Sequence, residues 1–108
     1  MNINYKWIGW CSEDNHDKVW GVIDLGQVRA PDWTGIGGLD HKFVTFWGRR
    51  GKRLQTKISE QMQYDIQRLI DAKEKKGYNR VDHQRLDAVY PEFESDLQKT
   101  AVWAILCK

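Results

Sequence analysis

The sequence predicts an α+β domain, in which a small antiparallel sheet of about four strands packs with one long helix and a C-terminal helix. Aromatic and β-branched residues punctuated by glycine fill the first half of the chain, as is typical of strands. After residue 59 the apolar residues change to helical spacing, and they return to it in residues 95–108. A length of 108 residues suits one compact unit, so we expect residues 1–108 to form a single domain.

The first two strands are predicted to form a hairpin. Alternating apolar and polar residues in 3–10 indicate a strand with one buried face, and residues 18–25 have the composition of its partner. The polar cluster between them, residues 12–17, is typical of a turn. Residues 26–40 contain a proline, four glycines and Trp33. We expect a long irregular loop there, and loops of that length are often functional.

Two further strands complete the predicted sheet. Residues 41–47 and 53–58 are rich in strand-forming side chains, and the glycine-containing segment 48–52 between them predicts a turn. Because consecutive strands joined by short turns pair antiparallel, the four strands are expected to form one sheet.

The long helix follows the sheet. Ser59 is the predicted N-cap, Glu60 favours the positive end of the helix dipole, and Gly77 is the predicted stop. The predicted buried face consists of Met62, Ile66, Leu69, Ile70 and the stem of Lys73.

The end of the chain is less regular. Residues 79–94 are mixed in character and are interrupted by Pro91, which predicts a connection. By composition residues 95–108 could be a buried strand, but Leu97 and Ala101 begin a helical spacing that favours a helix.

Composition excludes several classes of protein. No apolar run approaches the roughly 20 residues of a membrane span, and the first residues lack the pattern of a secretory signal. We therefore expect a cytoplasmic protein, or a nuclear one in a eukaryote, with no membrane partner. Cys11 and Cys107 belong to no CxxC pair or metal-ligand cluster, which predicts reduced structural thiols; a disulfide between them is the alternative.

Charge is distributed unevenly along the chain. The formal net charge is only +2, yet residues 41–59 contain six basic residues and no acidic one. Such a segment is typical of a local site for phosphate or another polyanion. The alternative is a solvated strand edge that lysine and arginine protect against aggregation.

Known catalytic motifs are missing from the sequence. It contains no nucleophile elbow, P-loop, zinc-protease helix or Rossmann glycine fingerprint. His16, His41 and His83 lie far apart in polar surroundings, although one of them could still meet Asp40 or Asp82 in the fold. We predict a protein that is not an enzyme and that needs no cofactor.

Residues 46–53 combine an aromatic ring with several cations on a short piece of backbone. A tryptophan face stacks on a base or sugar, and arginine binds phosphate oxygens through two parallel hydrogen bonds. Gly48 and Gly51 leave backbone amides open to a phosphate. Trp47 could instead be a core residue, because six tryptophans in so small a protein must supply much of its interior.

The same residues resemble the WGR domains of DNA-dependent poly(ADP-ribose) polymerases and of assorted bacterial proteins. The resemblance covers roughly residues 17–94 and lies in an ordered series of motifs. These are Lys-Val-Trp at 18–20, Phe-Val-Thr-Phe-Trp-Gly-Arg at 43–49, Gly51, Gln-Thr-Lys at 55–57, Lys-Glu-Lys-Lys-Gly-Tyr at 73–78 and Tyr-Pro at 90–91.

The resemblance implies roles for individual residues. In such domains the signature tryptophan packs against the sugar of a DNA end and the signature arginine contacts a phosphate, which here implies Trp47 and Arg49, with Tyr90 beside them. Arg50 stands where the family usually has an apolar residue, and Leu54 stands where it has glycine. In the polymerases the domain relays DNA binding to a catalytic domain, so a relay here is expected to need a separate partner.

Two functions follow as hypotheses. The first is a nucleic-acid-binding module of the kind used in DNA repair, which recognises backbone or ends without reading bases, and DNA rather than RNA. The second is a protein-interaction adaptor or small regulator that uses the 26–40 loop. The predicted nucleic-acid-binding residues are Trp47, Arg49, Arg50, Lys52, Arg53, Lys57 and Tyr90.

Overall fold

The fold is an antiparallel sheet with one long helix and several short ones. A computed structural model describes residues 3–12, 17–27 and 41–106. The strands are β1 (Tyr5–Cys11), β2 (Lys18–Gln27), β3 (His41–Arg49), β4 (Gln55–Gln61) and β5 (Asn79–Arg80). The helices are α1 (Gln63–Lys75), α2 (Leu86–Val89), α3 (Phe93–Gln98) and α4 (Trp103–Leu106), and a 3-10 turn (His83–Arg85) precedes α2. The predicted α+β class is confirmed.

The described strands form a five-stranded sheet in the order β4-β3-β2-β1-β5. Every pair is antiparallel, and β2 and β3 occupy the centre, where Trp20 lies opposite Trp47. On its other side Trp47 lies opposite Gln55 of β4. The four predicted strands are therefore confirmed.

The bounds of the third and fourth strands differ from the prediction. β3 continues to Arg49, and β4 begins at Gln55 and extends to Gln61 because Gln61 pairs with His41 across the ladder. The connecting turn consequently occupies residues 50–54. Ser59 lies inside β4 and cannot cap the helix, so that prediction was wrong. Met62 is the N-cap residue, without a side-chain hydrogen bond.

One face of the sheet carries the larger core. Side chains of β1, β2 and β3 pack there against the segment that contains α2 and α3. Tyr90, Phe93 and Leu97 are fully or almost fully buried in it. The ring centroids of Phe46 and Phe93 lie 5.1 Å apart, so β3 and α3 meet directly.

The other face carries α1 and a smaller core. Ile66 and Ile70 pack with a cluster on the sheet that consists of Trp7, Trp20, Val22 and Phe43. The predicted buried face of the helix is only partly right, because Met62 and Leu69 are 45% and 41% exposed. Gly77, with φ +100°, ends the helix as predicted.

The C-terminal third was predicted less well than the rest. Residues Asn79–Arg80, expected in a connection, form β5 on the free edge of β1. The tail is helical rather than a strand, as predicted, but it is divided between the short helices α3 and α4. Cys11 is a buried free thiol, and Cys107 lies outside the described residues.

Some predicted segments fall in the parts of the chain that the structure does not describe. The 12–17 turn is described only at its two ends, and of the 26–40 loop only Gly26 and Gln27 are described. Trp33 lies outside the described residues. Among the helices of the described ranges, none combines the length and the apolar character that a membrane crossing requires.

Candidate functional site

An open groove lies on the α1 side of the sheet. The helix packs on β1 and β2, and the faces of β3 and β4 beside it form the floor of a groove of about 550 Å³. Three predicted binding residues, Trp47, Arg49 and Lys57, line this groove. The other lining residues are Lys18, Trp20, Thr45, Gly48, Gln55, Ser59, Gln61, Leu69, Lys73 and Tyr78.

The electrostatic character of the groove is one-sided. Among the described residues that line it, four are cationic (Lys18, Arg49, Lys57 and Lys73) and none carries a carboxylate. Three aromatic side chains, Trp20, Trp47 and Tyr78, lie among them. Positive charge concentrated in a concave surface with low-dielectric walls attracts anions more strongly than the same charges on a convex surface.

Trp47 occupies the groove because of strand register. It lies opposite Trp20 on β2 and Gln55 on β4, so its ring shares the α1 face of the sheet with theirs. It packs against the smaller core while remaining partly exposed. The core interpretation and the binding interpretation of this tryptophan thus both describe part of its environment.

Gly48 brings the chain close to the residues that begin β4. Its φ is +151°, and a Cβ there would lie 3.3 Å from the carbonyl oxygen of Arg53. A side chain at this position would therefore be strained and crowded. Glycine at position 48 permits the close approach of the two strands directly beside Trp47.

Lys73 forms a fixed cation on the wall of the groove. Its ammonium nitrogen lies 5.6 Å from the ring centroid of Trp20 and the same distance from that of Tyr78, within the range of cation–π attraction. Burial, and secondarily the charge of Lys76, lowers the pKa of Lys73. Burial, and secondarily Cys11, raises the pKa of Tyr78. In both groups burial disfavours the charged form.

Arg50 does not line the groove, and its predicted role as a ligand contact stays a prediction. Its Nε lies 3.1 Å from Oδ1 of Asp17, its Nη1 donates to the carbonyl of Val89, and its guanidinium carbon lies 4.7 Å from the ring centroid of Trp10. These contacts attach the turn after β3 to the start of β2, to β1 and to α2. Arg50 acts as a structural clamp.

Tyr90 does not line the groove either, and its side chain is completely buried. Its hydroxyl donates to the carboxylate of Asp96 and accepts a hydrogen bond of 3.2 Å from the backbone N–H of Gly51. Burial, followed by the hydrogen bond to Asp96, raises the pKa of Tyr90 far above its usual value. Tyr90 therefore positions the turn and cannot contact a ligand directly.

The remaining predicted residues, Lys52 and Arg53, are exposed on the turn and do not line the groove. The structure thus divides the seven predicted residues into groove residues, turn residues and clamp residues.

Of the three histidines, the structure describes the side chain of His41. Nδ1 of His41 lies 3.1 Å from the carboxylate of Asp24, and its ring stacks on Phe43. Asp40 and His16 lie outside the described residues. In the described part of the chain, no three metal-ligating side chains cluster.

Sequence reasoning missed several groove residues, above all Lys18 and Lys73, which come from other elements. A signal for the groove floor was present in the sequence of β4. Every second residue of a strand lies on the same face of the sheet, and on one face of β4 these residues are all polar: Gln55, Lys57, Ser59 and Gln61. A strand with an entirely polar face on the helix side of a sheet indicates that the helix does not cover it.

Comparison with known proteins gave no family assignment. No family model, no curated protein and no solved structure matches this chain.

Proposed function

We propose that this protein binds nucleic acid through the groove beside the Trp-Gly-Arg turn. The observation that carries the proposal is the set of four cations, without a carboxylate among the described lining residues, around a partly exposed tryptophan. Phosphates would contact Arg49, Lys18 and Lys57, and a sugar or base would stack on Trp47. In this proposal the protein is a binding module rather than an enzyme.

The WGR-like motifs support a narrower form of this proposal. Their order along the chain favours membership of that family, and with it a preference for DNA over RNA and for the backbone at a duplex end. A role in DNA repair and a cytoplasmic or nuclear location rest on the same resemblance. The alternative adaptor function of the 26–40 loop stays a prediction, because nearly all of that loop lies outside the described residues.

The test compares two cations of the same turn region. We expect the wild type to bind a short 5′-phosphorylated DNA duplex in fluorescence anisotropy titrations at low salt, with an affinity that falls steeply as salt is added. Arg49→Ala removes a groove cation and should weaken binding about tenfold, equivalent to roughly 1.4 kcal/mol. It should also reduce the slope of log K against log salt by about one.

Lys52→Ala is the matched control. It removes the same formal charge from an exposed position that does not line the groove. It should change affinity much less than Arg49→Ala does. Equal losses for the two variants would contradict a specific groove, and no binding to any DNA or RNA at low salt would refute the proposal as a whole.

A further inference from the structure

The floor of the groove follows an edge strand of the sheet. β4 is the outermost strand on its side of the sheet, and Gln55 and Gln61 mark its two ends. At about 3.3 Å per residue, these two side chains lie roughly 20 Å apart. Leu69 and Lys73 of α1 form the opposite wall. The groove is therefore a channel beside the helix rather than a flat surface.

The dimensions of the groove favour a single strand over a duplex. Its volume of about 550 Å³ falls in the range of roughly 300–1,000 Å³ typical of sites for one small-molecule ligand. A B-form duplex, whose major groove alone is about 12 Å wide, is too large to enter a groove of this volume. A duplex could reach only the outer cations, such as Arg49.

The floor contains groups that a phosphate contact does not need. Phosphate oxygens only accept hydrogen bonds, whereas the amides of Gln55 and Gln61 and the hydroxyl of Ser59 both donate and accept. The Gln61 amide donates to Ser59 Oγ at 2.7 Å, which leaves its carbonyl oxygen as an acceptor. Base edges present both donors and acceptors, so such side chains are suited to unpaired bases.

We infer that the groove binds an unpaired nucleic-acid strand, such as the overhang at a DNA end, with a base stacked on Trp47 and phosphates near Lys57 and Lys73. This inference rests on the proposed function and specifies its substrate. Stacking on an aromatic ring beside a basic channel is a general mode of single-strand binding and tolerates any sequence. Lys73, fixed between two rings, supplies charge at the wall without needing to be ordered on binding.

The experiment compares the affinities of several DNA ligands for the 108-residue chain. We expect a 5′-phosphorylated duplex with an overhang of about four nucleotides, and a single strand of similar length, to bind at least about tenfold more tightly than the blunt duplex. Tryptophan fluorescence should be quenched more strongly by the ligands with unpaired bases. An RNA single strand in a parallel titration separates recognition of DNA from recognition of any unpaired strand.

A glutamine pair provides the matched variants. Gln55→Ala should weaken binding of the overhang duplex at least about threefold more than binding of the blunt duplex, because Gln55 is exposed on the groove floor. Gln98→Ala, an exposed glutamine of α3 that does not line the groove, should have no effect. Thermal melting of both variants verifies that the fold is retained.

The outcomes separate this inference from the proposed function. Equal affinity for blunt and overhang duplexes would overturn the inference and leave nucleic-acid binding in place. Binding of unpaired strands without binding of blunt duplex would support the inference and contradict recognition of duplex ends. Absence of binding to every ligand would overturn both.

Discussion

Arg49 and Arg50 are neighbours in the sequence with different surroundings in the fold. Arg49 is the last residue of β3, is exposed, and lines the groove beside Trp47. Arg50 begins the turn, and its guanidinium reaches Asp17, Val89 and the ring of Trp10 instead. Because side chains alternate across a strand, adjacent arginines at its end point to opposite faces. Composition alone could not distinguish the two.

Removing the clamp should cost stability rather than binding contacts. Arg50→Ala is expected to lower the free energy of unfolding by about 1–3 kcal/mol, mostly through loss of the hydrogen bond to the Val89 carbonyl. The ion pair with Asp17 contributes less, since both side chains are about one-third exposed. Urea denaturation measures the change, and Lys52→Ala, at an exposed position of the same turn, is the control with an expected effect within about 0.5 kcal/mol. Unchanged stability in Arg50→Ala would exclude the clamp.

At the scale of elements, the sequence predicted those strands and helices whose formation depends on residues close together in the chain. The alternation in the first four strands and the helical spacing of α1 are properties of short segments, and these elements were found. β5 was missed because two residues form a strand only when β1 offers an unpaired edge. The N-cap was misplaced because pairing of Gln61 with His41 extends β4 past Ser59. Both errors arise from contacts distant in sequence.

The packing of the two central strands depends on a glycine. Gly21 of β2 lies opposite Phe46 of β3, and a Cβ at Gly21 would lie 2.2 Å from Cζ of that ring. Gly21→Ala should therefore displace Phe46 and lower stability by about 1–3 kcal/mol. In a Phe46→Leu background the same change should cost less, because the ring is gone. Urea denaturation of the four proteins tests this, and additive costs would show that the ring and the glycine are independent.

At the scale of the whole molecule, the groove is assembled from segments far apart in the chain. Trp47, Arg49 and Lys57 could be predicted because they are close in sequence and share an acid-free segment. Lys18 joins them through pairing of β2 with β3, and Lys73 through packing of α1 on the sheet. Tyr90 was predicted to bind nucleic acid because a resemblance of sequence gives the type of residue at each position and does not show whether its side chain is buried. The sequence thus indicated the charge of the site but not its shape.

The lowered pKa of Lys73 predicts a pH dependence of binding. The native protein should lose this charge, and with it affinity for a polyanion, at lower pH than the roughly 10.4 of an ordinary lysine. Lys73→Arg keeps the charge, so its affinity should fall less as the pH rises towards the pKa of an ordinary lysine. Anisotropy titrations at constant ionic strength measure both profiles. Lys52→Arg, at an exposed position that does not line the groove, is the control, and it should retain the wild-type profile.

Deprotonation of Lys73 does not unfold the protein, so unfolding would not account for a loss of affinity at high pH that depends on this residue. Its pKa is lowered in the native state, so the unfolded chain holds the proton to higher pH. By linkage, this group makes the native state more stable as the pH rises from the native pKa towards the unfolded one. Affinity that falls over that range therefore reports the groove. Identical profiles for the wild type and Lys73→Arg would show that Lys73 does not contact the ligand.

The hydrogen bond from Gly51 to Tyr90 connects binding to local opening of the C-terminal third. Tyr90 is anchored to Asp96 of α3, and Arg50 holds the carbonyl of Val89 at the end of α2. Transient opening of these short helices consequently releases the turn that directly follows Arg49. In the proposed function, a polyanion bound beside this turn would favour the closed state by mass action and slow amide exchange in helices that it does not touch.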